Sequence, residues 1–181
     1  MTQLRIRVYG DPVLRRVAQE VTHIDGEMAS LCEQMFIAMY DATGIGLAAP
    51  QVGVSQRFFV YDLGDGPRVL VNPQIADSDG EWNFKEGCLS VPELSWEIVR
   101  PRRIWLTAHD LDGKEVTIEA EDLQARLFQH EMDHLNGKML LDYLDEDQRR
   151  EAKGILRQRA MGAAVASDVA SKSATQPLTL P

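Results

Sequence analysis

Two histidines four residues apart, with a glutamate beside the first, sit in Gln129-His130-Glu131-Met132-Asp133-His134. Positions i and i+4 of an α-helix share one face, so His130 and His134 are spaced to ligate one cation while Glu131 reaches water activated there. That is the arrangement of a hydrolytic metal centre carrying its own base. The chain holds only 4 His in 181 residues, so a chance match to this pattern is rare. Two buried histidines bonded to backbone carbonyls are the weaker reading.

A catalytic zinc or iron site takes three protein ligands and keeps one position open, so a third donor is required. No His follows His134, and Asp142 and Asp145 lie in a polar, loop-like context. Upstream, Glu86-Gly87-Cys88-Leu89-Ser90 sets a cysteine between a glycine and an apolar residue, just before Val91-Pro92. Cys88 is the expected third ligand, against the alternative of a small packed hydrophobe. Thiolate with two imidazoles suits a borderline-soft divalent ion such as Zn(II), Fe(II), Co(II) or Ni(II), and the ion itself would keep the sulfur deprotonated.

These groups work only if regular elements hold them. Leu123 and Leu127 stand one turn apart ahead of His130 and His134, which predicts a helix from Glu121 to Asn136 with an apolar inner face, closed by Gly137. Asp25 precedes Met28, Leu31, Met35, Ala38, Met39 and Ala42 at spacings of three and four, an amphipathic helix capped by a carboxylate and ended by Gly44. Cys32 lies beside that stripe and reads as core packing.

Short β-branched and aromatic runs at Arg57 to Asp62 and Val69 to Pro73 read as strands. Arg103 to Ala108 and Glu115 to Glu119 flank Asp112-Gly113, a strong hairpin signal. A third helix is expected from Asp145 to about Met161. Beyond it, Gly162 to Pro181 is rich in Ala and Ser without an apolar period and reads as a mobile tail. The fold class expected is α+β, with mixed or antiparallel sheets around a central metal-bearing helix and a C-terminal helix, organised as a single catalytic domain over 1–161 and a tail over 162–181. His23 and His109 read as surface or hairpin residues, and Trp82, Trp96 and Trp105 as packing.

Bulk properties narrow the partners. At 44% hydrophobic residues the chain suffices for one core. With 19 Lys and Arg against 28 Asp and Glu the net charge is -9, which argues against specific DNA binding through phosphate neutralisation. The first residues lack the apolar segment of a secretory signal, and no run approaches the roughly 18 apolar residues of a membrane span. Two cysteines are too few for a disulfide framework. A cytoplasmic protein without membrane association is expected.

Gly44-Ile45-Gly46-Leu47-Ala48-Ala49-Pro50-Gln51, Glu86-Gly87-Cys88-Leu89-Ser90 and Gln129 to His134 together resemble the three signature motifs of the peptide deformylases, in that family's order and separations. The similarity spans Ile6 to Leu144. It implies an enzyme that removes the formyl group from the formylmethionine of nascent polypeptides and releases formate. Carried over by resemblance, Cys88, His130 and His134 hold the metal, with Fe(II) native and Zn(II), Ni(II) or Co(II) as substitutes. Glu131 is the acid/base, while Gln51 and the Leu89 backbone N–H bind the oxyanion.

The resemblance also assigns Ile45, Phe84, Leu123 and Leu127 to the methionine side chain, with Glu86 and Arg126 at the rim of that pocket. The small residues around Gly46 would let the substrate backbone approach as an added strand. Leu123 and Leu127 read equally well as core. Asp133 either orients a ligand histidine or faces solvent. Some family members carry Arg seven residues after the metal cysteine, where this chain has Ser95, its nearest downstream Arg being Arg100. A weak ribosome contact through a basic C-terminal helix maps onto Arg149 to Arg159, a charge run that reads equally as a solvated face.

Two other functions fit parts of the pattern. One keeps the centre and changes the amide or acyl substrate. The other makes the ion a structural staple, which the intact Glu131 and the Gln51 loop argue against, since a closed structural site takes four protein ligands.

Overall fold

Apolar residues in an unbroken run make strands that are buried on both faces, and Phe58-Phe59-Val60-Tyr61 is such a run. The structure, a computed structural model, describes residues 4–173, with side chains to residue 162. The chain forms two compact units, Met1–Leu140 and Leu141–Pro181, where the sequence suggested a division after residue 161.

In the first unit, helix α1 (Gly26–Asp41) begins at Asp25, whose carboxylate accepts from the Glu27 and Met28 backbone N–H groups. Strands β1 (Gly46–Ala48), β2 (Phe58–Tyr61), β3 (Arg68–Asp79), β4 (Trp82–Cys88), β5 (Val91–Arg100), β6 (Arg103–His109) and β7 (Glu115–Glu121) follow, then helix α2 (Asp122–Leu135). Five strands form one sheet in the order β1-β2-β3-β6-β7, and β4 pairs with β5 in a separate two-stranded sheet. Every ladder is antiparallel. The architecture is the expected α+β type. The β6–β7 hairpin turns at Gly113, which takes φ of 75°, at the predicted Asp-Gly.

Side chains alternate across a strand, and β2 uses both faces. Phe58 and Val60 join Val69, Val71, Met28, Cys32, Met35 and Met39 against α1. Phe59 and Tyr61 join Leu70, Ile104, Leu106, Leu127, Phe128, Met132 and Leu135 against α2. Burying each large side chain stabilises the fold by roughly 1.5–3 kcal/mol. The two-sided core fixes the angle of α2, and the imidazoles it carries, before any ligand arrives.

The ends of α2 are set by backbone geometry. Asp122 opens the helix at φ of 49° and its carboxylate pairs with Arg102 Nε at 2.7 Å. Asn136 is the C-cap, one residue before Gly137. Gly137 takes φ of 70°, and a Cβ there would stand 2.8 Å from the Arg15 carbonyl oxygen, so both conformation and space require glycine.

The second unit contains α3 (Glu146–Ser173). Asp145 Oδ1 accepts from Gln148 N at 2.8 Å at its start. The Arg149 guanidinium donates to the carbonyls of Leu141 and Leu144 at 3.0 and 2.7 Å. The helix continues past the expected end near Met161, through Gly162 to Ser173. Ala163, Ala164, Ala166 and Ala170 explain this, because alanine favours helix without needing an apolar face. Residues 174–181 of the expected tail lie outside the described residues. No helix of the described chain is long and apolar enough to cross a membrane.

Candidate metal centre

Cys88 ends β4, where the ladder shifts register between Gly87↔Ser95 and Cys88↔Val91. That irregularity takes Cys88 out of the regular pleat at a hairpin tip facing α2. One ligand atom from each of Cys88, His130 and His134 lies within 4.8 Å of the others, the one such grouping of His, Cys, Asp and Glu among the described residues. Cys88 Sγ is 3.2 Å from His134 Nε2. The two rings stand 5.0 Å apart and nearly perpendicular, at 77°, as i and i+4 side chains do when both turn toward one point. Asp142 and Asp145, the acidic alternatives, are not in this group and belong to the second unit.

The donors fit a divalent ion by their chemistry. Burial alone would push the Cys88 thiol up, but His134 and His130 overcome it and hold the thiol well below its usual range. Burial pushes His130 down, and the Cys88 sulfur and Glu86 reverse that and raise it. The imidazoles thus favour the thiolate, the ionic form that coordinates a cation.

Glu131 is 4% exposed, and its Oε2 has no hydrogen-bond partner. Burial raises its carboxyl to about 7 against the pull of His130 and His134. A buried carboxyl close to neutrality suits both accepting and returning a proton.

Behind His130 lies a buried ionic network. Glu86 Oε2 bonds His130 Nδ1 at 3.1 Å, which leaves Nε2 of that ring as its coordinating nitrogen. Arg100 grips Glu86 with Nε at 2.7 Å and Nη2 at 3.1 Å, and pairs Asp133 through Nη1 at 2.8 Å. Arg126 Nη1 adds bonds of 2.7 Å to Glu86 and to the Ile98 carbonyl, and its Nη2 bonds the Trp82 carbonyl. Glu86 is held down to about 2: burial opposes ionisation, and the His130 and Arg100 contacts outweigh it.

Gln51 stands in a 3-10 turn, Ala49–Val52, with Pro50 in its first positions. Its Oε1 accepts from Ala48 N at 2.8 Å, while Nε2 donates to Ser90 Oγ at 3.1 Å and to Cys88 Sγ at 3.8 Å. One amide hydrogen thus has a firm acceptor and the other a long contact to sulfur. Leu89 follows Cys88 and lines a cavity that it shares with Gln51.

That cavity, about 830 Å³, is lined by Ile45, Gly46, Phe84, Leu123, Leu127 and Glu131, together with Cys88 and His130. Ile45, Phe84 and Leu123 stand 39% to 44% exposed at its mouth, whereas Leu127 is 4% exposed and also belongs to the core against β2. Glu86 and Arg126 touch the cavity but are 6% and 3% exposed. Expected at a rim, they instead sit inside the ionic network behind the wall.

Sequence reasoning did not assign Arg100 or Ser90 to the site, and it read Trp82 as packing. Trp82 packs against Phe84 with ring centroids 4.5 Å apart and tilted by 33°, and lies under the Arg126 guanidinium at 5.2 Å. Their roles depend on the β4–β5 register, which pairs Trp82 with Arg100, and no local spacing announces it. Ser90 lay within a quoted motif, and its 0% exposure is the signal that an intact polar side chain had a buried partner. Cys32, 1% exposed, has its thiol pushed up to about 11 by burial, as suits packing.

A family model described as Polypeptide deformylase matches residues 3–150. A peptide deformylase of Thermotoga maritima is 47% identical over 158 residues, covering 87% of this chain and 94% of that one. One from Clostridium botulinum is 48% identical over 142 residues, covering 78% and 97%. Among solved structures, a peptide deformylase from Legionella pneumophila superposes with TM-score 0.85 at 40% identity over 90% of this chain and 98% of that one. Another from Ehrlichia chaffeensis, in complex with actinonin, gives 0.84 at 37% identity over 88% and 98%.

Proposed function

This chain belongs to the polypeptide deformylase family, metal-dependent hydrolases that remove the N-formyl group from nascent peptides, and we propose which of its residues carry that reaction. Cys88, His130 and His134 hold the metal. Glu131 takes a proton from water as that water adds to the formyl carbon, then delivers it to the departing amine. A divalent ion held by the three donors supplies Lewis acidity, which lowers the cost of deprotonating water at neutral pH.

The observation that carries this assignment is the convergence of three coordinating atoms within 4.8 Å beside a buried carboxylate whose Oε2 is unpaired. Gln51 and the Leu89 backbone N–H donate to the oxygen on which charge gathers. The 3.8 Å contact from Gln51 to sulfur is the bond it gives up to do so. Ile45, Phe84, Leu123 and Leu127 receive the methionine side chain, and Gly46 lies beside the path of the substrate backbone.

Fe(II) is the native ion we assign on family resemblance, with Zn(II), Ni(II) or Co(II) accepted by the same donors. The cytoplasm is the compartment we assign, where formylated chains are made. Two unpaired thiols, Cys32 and Cys88, agree with a reducing environment. The formyl-Met peptide is the partner this site addresses; for ribosome contact, the mixed charges of α3 support a solvated face as well as they support docking.

Formate release from a formyl-Met peptide, after anaerobic purification and metal analysis, tests the assignment. Glu131→Ala should lower kcat by about 10²- to 10⁴-fold with metal stoichiometry unchanged. Full turnover in that variant would refute the role given to Glu131, and a preference for acetyl over formyl peptides would refute the substrate.

A further inference from the structure

Gly46 occupies the middle of the molecule's chemistry without a backbone reason to be glycine. It pairs with Tyr61 in β1, and its φ is not in the left-handed region. Glycine inside a strand costs roughly 0.5–1 kcal/mol relative to alanine, and usually marks a place where something comes close. Here the close neighbour is identifiable.

A Cβ built at Gly46 would stand 2.5 Å from Glu131 Oε1, 3.1 Å from its Cδ and 3.3 Å from its Cγ. Three successive atoms of one side chain fill the space. Other glycines of the chain differ. At Gly87 the nearest atom to such a Cβ is 3.7 Å away, and Gly26 meets nothing within 4 Å. Gly44 meets chiefly the tip of the Leu89 side chain at 2.7 Å, which has rotamers to retreat into. Glu131 has little such freedom, being 4% exposed and flanked one turn away on the same helix face by Leu127 and Leu135, which are packed in the core.

We propose that Gly46 is a positioning residue for Glu131: the missing side chain is the seat of the carboxylate, which braces Oε1 against the β1 backbone and leaves Oε2 directed to the reaction. This rests on the reading of Glu131 as the proton carrier. It separates Gly46 from a role in pairing with the substrate backbone, because a seat for the base affects turnover, whereas a pairing strand affects substrate affinity.

Gly46→Ala tests it. Misplacing a reacting group by about 1 Å costs on the order of 100-fold, so kcat should fall between about tenfold and a few hundredfold with KM within about threefold and metal content unchanged. In the Glu131→Asp background, where the carboxylate is withdrawn by one methylene, the same substitution should cost less than about threefold, because the seat is already vacated. A crystal structure of Gly46→Ala should show the Glu131 carboxylate displaced from residue 46.

An unmoved carboxylate overturns the proposal, as does a loss confined to KM or one of equal size in both backgrounds. If the double variant is too slow to measure, the crystal structure decides alone. Loss of activity in Glu131→Ala with none in Gly46→Ala would sink this inference while sparing the assignment of Glu131, whereas full activity in Glu131→Ala would overturn both.

Discussion

On the proposed mechanism Glu131 accepts and surrenders a proton within one turnover, and its surroundings set the pH at which both are open to it. Burial lifts the carboxyl to about 7 in the free protein, while the neighbouring imidazoles pull it down. A bound cation adds to that pull, so in the loaded enzyme the group titrates lower. The ionised form is the base, and activity is therefore present above the folded pKa and lost as pH falls through it. The profile of kcat/KM should show an acidic limb below pH about 7 that tracks Glu131; a limb above about 8 would mean that another group limits the reaction. At this scale the sequence was legible. His130, Glu131 and His134 lie within one helical turn, so their relation needs no knowledge of the fold, and Cys88 followed from the count of ligands.

The element scale is where legibility failed. Resemblance alone places Glu86 at the pocket rim, and nothing in its local spacing says more. What it does depends on β5, fourteen residues on, whose Arg100 grips it, and on α2, forty residues on, which brings Arg126. Strand register and helix placement are tertiary facts, and spacing within a segment does not encode them. The consequence is measurable in Glu86→Gln. Removing one charge from a buried network leaves two guanidiniums short of a partner, and such losses run about 3–5 kcal/mol. His130 also exchanges a charged acceptor for a neutral amide that holds its tautomer less firmly, and loss of such a partner typically weakens metal binding by about 10- to 100-fold.

The same variant should change the response to acid. The wild-type carboxyl is held at about 2, below its usual value near 4.5, so its contribution to stability is complete above pH about 4.5 and drains away as pH falls toward 2. Glu86→Gln should flatten that part of the stability curve in urea titrations at successive pH values. An unchanged curve would show that Glu86 is not the acid-sensitive element.

At the scale of the whole molecule, composition bears on partners and periodicity on boundaries. The charge of -9 agrees with a reaction on a peptide rather than with duplex nucleic acid. The family match ends at residue 150, and the chain divides near Leu140, yet the alanine-rich stretch past Met161 gave no apolar period from which a helix to Ser173 could be read. Helices that need no buried face leave no such trace.

Cys88 belongs to a sheet of only two strands, and two strands alone are marginally stable in water. Its histidine partner on α2 is 46 positions away in the chain. An ion shared between them is thus a rivet as well as a reagent: it closes a long excursion of chain whose free ends would otherwise regain their entropy. Stripping the ion with a chelator should speed amide exchange across 82–100 while leaving Phe58 to Tyr61 protected; equal rates with and without metal would deny the ion that mechanical part. Oxidation of the sulfur would then do double damage, silencing the enzyme and unfastening the hairpin for proteolysis by one and the same event.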